Sequence, residues 1–261
     1  MNLHQIRRGA GKPLLVIHGL GSTSQTWSLL LDRLGAEREV IAVDLPGHGA
    51  TPPGPGTPTF AGLVEAVIGF LDDQKLQGAD AVGSSMGGRL VLELARRQML
   101  GAVVALDPGG FWEGWERSYI HGSLGTAVRL LRLARPLLPA LTGNPMSRAV
   151  LFAQFSARPS EIPAELALAE ARSNADSPSF DALLADLAAG PMQEGVAPGA
   201  IRAKMAIGWG RHDRVTLPSQ APRASEAFPD ARLHWFEDSG HFPQWDQPEE
   251  TVRLILETIG P

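Results

Sequence analysis

The chain has 261 residues, of which 44% are hydrophobic and 20% charged, and its formal net charge is −5 at pH 7. This length and composition are typical of a soluble globular protein with a sizeable core. The acidic balance argues against a nucleic-acid partner, which would favour a basic patch. The chain has no cysteine, which excludes disulfides, thiolate nucleophiles and cysteine-ligated metals.

The start of the chain has no apolar segment, so we expect no secretory signal. No apolar run approaches the roughly 20 residues that a membrane-spanning helix needs. We therefore expect a cytoplasmic protein without a membrane partner.

Short apolar runs alternate with helical patterns along most of the chain. The runs lie at residues 12–18, 40–43, 79–82, 102–106, 205–209 and 233–236. Such runs are typical of strands buried on both faces of a parallel sheet. Helical patterns lie at 27–34, 59–74, 88–97 and 248–259. The alternation predicts an α/β fold with a doubly wound sheet, in which ligands bind at the carboxyl ends of the strands.

One long segment interrupts this alternation. From about Phe111 to Gly190 the sequence is apolar and helix-like, and prolines divide it into short helices. We predict that residues 111–190 form a helical cap over a core domain made of residues 1–110 and 191–261. Large apolar side chains of the cap would line a pocket, unless they form the cap's own core. These are Trp112, Trp115, Leu137, Leu138, Phe152 and Phe155.

Residues 83–87, Gly-Ser-Ser-Met-Gly, lie between a predicted strand and a predicted helix. A Gly-x-Ser-x-Gly sequence at such a turn is typical of a nucleophile elbow, in which strained backbone presents the hydroxyl of Ser85. Glycine is expected at Gly83 and Gly87 because side chains there would collide with the neighbouring strand and helix. The pentapeptide alone is weak evidence, since the chain has 29 glycines.

A serine nucleophile needs a general base, and the base needs an orienting carboxylate. Asp213 follows the predicted strand at 205–209, and His241 follows the strand at 233–236. Asp107, which also ends a predicted strand, and Asp238 are the alternatives for the acid.

Together these motifs resemble the α/β-hydrolase superfamily along nearly the whole chain outside the cap. The resemblance rests on residues 18–21 (His-Gly-Leu-Gly), 44–49 (Asp-Leu-Pro-Gly-His-Gly), 83–88 and the segments around 213 and 241. The chain order Ser, Asp, His is that of the superfamily. The resemblance implies a mostly parallel sheet with a helical cap inserted after the sixth strand, and no cofactor.

The resemblance also implies roles for single residues. Ser85 would be the nucleophile, His241 the general base and Asp213 the orienting acid. The backbone N–H groups of Leu20 and Met86 would form the oxyanion hole. In relatives, the histidines at positions 18 and 48 usually shape loops. A serine nucleophile argues against haloalkane dehalogenase and epoxide hydrolase chemistry, which need an attacking carboxylate.

The implied activity is hydrolysis of a small to medium, largely apolar carboxylic ester through an acyl-enzyme intermediate. Trp112, Phe152 and Phe155 are the expected substrate contacts. Arg89 resembles the arginine with which a menaquinone-pathway, pyruvate-eliminating synthase binds a substrate carboxylate, although in ordinary hydrolases this arginine simply lies on the elbow helix. Carbon–carbon-bond and enol-lactone hydrolases that act on carboxylated substrates share the rest of the pattern.

A non-catalytic ligand receptor on the same fold is the remaining alternative. No cluster of histidine and acidic residues has metal-ligand spacing, so we expect no metal. The expected partner is a small-molecule substrate, bound by a monomer or a homodimer.

Overall fold

A computed structural model of the chain describes residues 2–260. Seven strands form one sheet in the order β1-β3-β2-β4-β5-β6-β7. They are β1 (Gln5–Arg8), β2 (Pro13–Ile17), β3 (Glu39–Val43), β4 (Asp80–Ser84), β5 (Val103–Leu106), β6 (Met205–Gly210) and β7 (Arg232–Phe236). Strand β1 pairs antiparallel with β3, and the other neighbours are parallel. The predicted doubly wound, mostly parallel sheet is confirmed.

Strand β1 is absent from the elements expected from sequence. It lies at the edge of the sheet, and its residues are half-buried or exposed. An edge strand of this kind has no continuous apolar run, so its sequence resembles that of a loop.

Helices flank the sheet and fill the long interval between β5 and β6. They are α1 (Leu31–Gly35), α2 (Phe60–Gln74), α3 (Met86–Arg96), α4 (Glu116–Leu133), α5 (Leu138–Gly143), α6 (Pro145–Leu151), α7 (Ala164–Asp176), α8 (Phe180–Ala189), α9 (Ala221–Ala227), α10 (Pro243–Asp246) and α11 (Pro248–Ile259). In the described residues, no helix combines the length and apolar character needed to span a membrane.

The central strands are buried on both faces because successive side chains point to opposite sides of a sheet. In β2, Leu15 and Ile17 pack with residues of α2, α3 and α9. Leu14 and Val16 pack on the other face with residues of α1 and α11. This two-sided burial explains why the strands read as continuous apolar runs.

Strand order places the predicted site. The chain winds from β2 to β3 in one direction, and from β4 through β7 in the other. A crevice forms at such a reversal, outside the carboxyl ends of the strands. The loop at residues 18–21 follows β2, and Ser85 follows β4, so both flank this crevice.

The structure has helices α4 to α8 where the cap is predicted. In chain order these helices follow β5, the fifth strand of the described chain, whereas the resemblance to the family implied an insertion after a sixth strand. The count differs because only one strand, β1, precedes the alternating strands and helices in the described chain. Leu138 and Phe152 of this insertion pack against Phe242 and Trp245, which follow β7. The division into two domains at 111–190 stays a prediction.

Candidate active site

Ser85 occupies a strained turn between β4 and α3. Its backbone has φ 57° and ψ −116°, a conformation that non-glycine residues rarely adopt. A Cβ at Gly83 would overlap the carbonyl of Gly87, and a Cβ at Gly87 would overlap the carbonyls of Ile17 and His18. The two glycines therefore allow strand, turn and helix to approach closely enough to hold Ser85 in this conformation.

Asp213 and His241 form a buried hydrogen-bonded pair. His241 Nδ1 lies 2.8 Å from Asp213 Oδ2, and Oδ2 also accepts a bond of 2.7 Å from Thr216 Oγ1. Asp213 Oδ1 accepts bonds from the backbone N–H groups of Val215 (2.7 Å) and Thr216 (3.1 Å). Because Nδ1 donates to the carboxylate, Nε2 of His241 is the unprotonated nitrogen of the neutral ring, as a general base requires.

Ser85 and His241 line the same cavity. No hydrogen bond joins these two described residues in the structure. Such a bond is often long or poorly aligned in an empty site and tightens only when substrate is bound. The arrangement is thus compatible with a nucleophile and base, and a bound ester would have to complete it.

The loop that carries His241 is anchored by the buried carboxylate of Asp246. Its oxygens accept hydrogen bonds from Gly240 N (2.8 Å) and Ala157 N (2.9 Å), and from the hydroxyl of Ser156. His241 N itself donates to Phe155 O at 2.7 Å. The insertion therefore takes part in fixing the position of the histidine.

Asp107 lies beside the pair but does not orient the histidine. One Asp107 oxygen accepts a bond of 2.8 Å from Gly210 N, while the other has no hydrogen-bond partner. Burial raises the pKa of Asp107 well above its ordinary value, and the neighbouring charge of Asp213 adds to the effect. Its buried surroundings therefore disfavour the charged form of Asp107. This favours Asp213 as the partner of His241.

Asp238 is a poor alternative for the acid. Its side chain is 65% exposed and lies 3.4 Å from Arg158, whereas the side chain of His241 is 2% exposed. A carboxylate in water cannot orient a buried imidazole.

Asp107, Asp213 and His241 place potential metal-ligand atoms within 4.8 Å of one another. In the structure, atoms of these groups serve the hydrogen bonds described above. The expectation that no metal binds stays a prediction.

The loop after β2 offers an unused backbone N–H at Leu20. Leu45 N donates to His18 Nε2 (2.9 Å), so His18 Nδ1 carries the hydrogen and donates to Gly19 O (2.7 Å). In a trans peptide the N–H points opposite to the C=O, so Leu20 N–H points away from His18. Leu20 N and Met86 N donate to no acceptor in the described chain. Both residues lie beside Ser85.

His18 and His48 support this region as neutral groups. Burial lowers the pKa of His18, and it lowers the pKa of His48 to about 3. Neither histidine contacts Ser85 through a hydrogen bond in the structure. His18 holds the Gly19 peptide, and His48 Nδ1 contacts Pro46 O at 3.1 Å. Their place is therefore in the loops, as the resemblance implies.

An apolar cavity lies above Ser85, between the sheet and the inserted helices. The cavity has a volume of about 40 Å³, so it is narrow. Its polar lining side chains are Ser85, Glu170, Asn174 and His241. The rest of the lining is Gly19, Leu20, Leu124, Ala127, Val128, Leu131, Leu151, Phe152, Phe155, Ala171, Phe180, Val215, Phe242 and Trp245.

The expected substrate contacts divide between two cavities. Phe152 and Phe155 line the apolar cavity, whereas Arg89 and Trp112 line a smaller one that also reaches Ser85. Trp115 and Leu137, which we expected either in the pocket or in the core of the cap, are 66% and 60% exposed. They lie on the outer surface of the insertion. The sequence pattern identified them as apolar, but it does not show which apolar side chains another segment covers.

Arg89 is buried, not displayed on the solvent side of α3. It is 3% exposed, its Nη2 donates to Pro191 O (2.7 Å), and its guanidinium lies 4.1 Å from the centre of the Phe60 ring. Its Nε has no partner. Burial lowers the pKa of Arg89 to about 10, which still leaves it charged at neutral pH.

Sequence reasoning did not identify Thr216 or Glu170 as part of the site. Thr216 stands three residues after Asp213, a spacing at which a side-chain oxygen commonly accepts from the backbone. Glu170 lies on the buried side of α7 with Leu166, Ala167 and Ala171. An acidic residue on an apolar helix face was the available signal.

Comparison with known proteins agrees with the fold. Residues 14–254 match the model of a family described as the alpha/beta hydrolase family. The chain is 33% identical to a 2-hydroxymuconate semialdehyde hydrolase of Pseudomonas putida, over 97% of this chain and 88% of that protein.

Two further similarities differ in extent. The chain is 29% identical to a dihydrolipoyllysine-residue acetyltransferase component of the acetoin cleaving system of Cupriavidus necator, over 97% of this chain. It spans only 65% of the length of that relative. A solved structure of a thermophilic esterase from Thermogutta terrifontis superposes with a TM-score of 0.76 at 20% identity, covering 98% of this chain and 92% of that one. At this identity the likeness concerns the fold alone.

Proposed function

The chain belongs to the alpha/beta hydrolase family, and we propose that it is a serine hydrolase that cleaves small to medium, largely apolar carboxylic esters. The observation that carries this proposal is the apolar cavity that both Ser85 and His241 line. The strained turn at Ser85 and the buried His241–Asp213 pair support it.

In the proposed reaction, Ser85 Oγ attacks the ester carbonyl carbon while His241 Nε2 takes the hydroxyl proton. The N–H groups of Leu20 and Met86 stabilise the negative charge on the carbonyl oxygen. His241 then returns the proton to the departing alkoxide, which leaves an acyl-enzyme. Water, deprotonated by His241, releases the acid and restores Ser85. Asp213 stabilises the charged imidazole throughout.

A fluorophosphonate probe tests this site without a known substrate. An unactivated serine is a poor nucleophile at neutral pH, so selective labelling reports an adjacent base. We expect one adduct, on Ser85, and none in Ser85→Ala or His241→Ala. Ser84→Ala is the matched control, because the Ser84 hydroxyl is buried and accepts from Gln244 Nε2 (3.2 Å). An adduct on another serine would contradict the assignment.

Turnover of a short p-nitrophenyl ester tests the reaction itself. We expect ready hydrolysis by the wild type, and a loss on the order of a million-fold in kcat for Ser85→Ala. The same variant removes no core volume, so its fold should persist. A protein that takes the label but does not turn over the ester would support a receptor in place of an esterase.

A second candidate is hydrolysis of a carbon–carbon bond in a carboxylated substrate. It is favoured by Arg89, a buried cation with an unpartnered Nε in the wall of the smaller cavity beside Ser85. The relative from Pseudomonas putida is named for 2-hydroxymuconate semialdehyde, and muconate is the name of a carboxylate. A substrate carboxylate could accept a hydrogen bond from the Arg89 Nε, which has no partner among the described residues.

Arg89→Met distinguishes the two candidates. The pair of substrates is a neutral p-nitrophenyl ester and 2-hydroxymuconate semialdehyde, each measured on wild type and variant. The ester proposal expects equal changes for both. A loss of tens- to hundred-fold confined to the carboxylated substrate, as for a lost charge-assisted hydrogen bond, would promote the second candidate.

A further inference from the structure

Glu170 is a buried carboxyl group in the apolar cavity, and ester hydrolysis at Ser85 gives it no part. It lies on α7, is 4% exposed, and lines the cavity with Ser85 and His241. Ser22 Oγ donates to one of its oxygens at 3.0 Å, and Asn174 Nδ2 donates to the other at 3.2 Å. No cationic side chain in the described chain contributes to its pKa.

This environment leaves Glu170 with unused hydrogen-bonding capacity. Each carboxyl oxygen has two lone pairs, and each receives one hydrogen bond from the protein. Burial raises the pKa of Glu170 to about 7. Of the titratable side chains that the structure describes, only Glu170 and His241 line this cavity. Because Glu170 lines the cavity, its spare lone pairs can accept a further hydrogen bond from a ligand bound there.

We propose that Glu170 selects acyl groups that carry a hydroxyl at a distance from the scissile ester, and rejects acyl groups that carry a carboxylate there. This inference rests on the proposed ester hydrolysis. A hydroxyl in the cavity donates to the spare lone pair of Glu170. A plain alkyl chain leaves that lone pair without a donor, and a carboxylate places a negative charge beside the ionised carboxyl group of Glu170.

Glu170 also has a structural contact that the test must separate from selection. Ser22 follows the loop that carries Leu20, and Ser173 Oγ of α7 donates to Gly21 O at 2.7 Å. Glu170 could thus act only by holding Ser22, and through it the oxyanion loop. Loss of such support would slow all esters alike, whereas loss of selection changes the ratio between esters.

The experiment compares p-nitrophenyl esters of three acid types over a series of chain lengths at pH 8. These are the plain alkanoate, its ω-hydroxy derivative and the monoester of the dicarboxylic acid. In the wild type we expect kcat/KM for the ω-hydroxy ester to exceed that for the alkanoate by about tenfold at the matching length. Glu170→Met should reduce this ratio to near one.

Two further variants sharpen the result. Glu170→Gln removes the charge but keeps the shape, so it should improve relative turnover of the dicarboxylic monoester by about tenfold. Ser22→Ala removes the contact to the loop and leaves the carboxyl in place, so it should change all esters alike. An unchanged ratio in Glu170→Met at every chain length would overturn the proposal, as would a uniform loss in that variant.

A binding measurement keeps the inference testable if the protein is not an esterase. Calorimetry on Ser85→Ala with the methyl esters of the same alkanoates and ω-hydroxyalkanoates requires no turnover. We expect about tenfold tighter binding of the ω-hydroxy ester, and loss of that preference when Glu170→Met is added. Equal affinities would refute selection by Glu170. Failure of the proposed function appears separately, as absent ester turnover and absent labelling of wild-type Ser85.

Discussion

Glu170→Gln should change how the stability of the protein depends on pH. Burial raises the pKa of Glu170 from 4.5 to about 7, so between these values the folded chain keeps a proton that the unfolded chain has lost. Raising the pH through this window therefore destabilises the wild type. At about 1.4 kcal/mol per pH unit, the effect is on the order of 3 kcal/mol. Glutamine has no proton to lose.

Urea denaturation at fixed pH values from 4 to 8 measures this effect. The free energy of unfolding of Glu170→Gln, relative to wild type, should rise by on the order of 3 kcal/mol across the range, mostly between pH 5 and 7. Glu165→Gln is the matched control, because Glu165 is exposed on the first turn of the same helix. Parallel curves for Glu170→Gln and wild type would refute the reasoning, since they would require Glu170 to ionise as it does in water.

Three further outcomes test the site. Asp213→Asn should lower kcat by roughly ten thousand-fold, because Asp213 holds His241 Nδ1. Asp107→Asn should cost less than about tenfold, because Asp107 makes no hydrogen bond to His241 in the described chain. The reverse order in ester turnover would make Asp107 the acid. His18→Ala should lower kcat by roughly ten- to a hundred-fold with little change in KM, because the Leu20 N–H loses its fixed direction; a change in KM alone would argue against that role. Asp246→Ala leaves the buried donors of Gly240 and Ser156, and the partly buried N–H of Ala157, without their acceptor. Chemical denaturation should therefore show a loss of about 3–5 kcal/mol, and a loss below about 1 kcal/mol would contradict this account.

Most strands and the turn at Ser85 can be predicted from short stretches of the sequence. Strands β2 to β6 are almost wholly buried, so they appear as apolar runs, and half-buried β7 keeps a short run of apolar residues. The turn at Ser85 needs glycine at two positions, which leaves a recognisable pentapeptide. Edge strand β1 lacks both kinds of signal, and it was found only in the structure.

The roles of individual charged residues were less accessible. Arg89 follows the elbow at a position that is equally consistent with a solvent-exposed helix face, yet it is buried beneath Phe60 and Pro191. Trp115 and Phe152 have similar apolar character, yet one is exposed and the other lines the cavity. The sequence pattern gives the chemical type of a side chain. It does not predict whether that side chain is buried, because the residues that cover it come from segments far along the chain.

The sequence by itself determined strands β2 to β7, the chain order of Ser85, Asp213 and His241, and the need for a strained turn at Ser85, because each of these signals lies within a short stretch of residues. Only the tertiary structure decided the surroundings of each carboxyl group. Asp213 accepts hydrogen bonds from four donors, whereas burial raises the pKa of Asp107 and that of Glu170. A carboxyl group's ionisation depends on desolvation and on nearby donors and charges, and the helices and loops that supply these meet only when the chain folds.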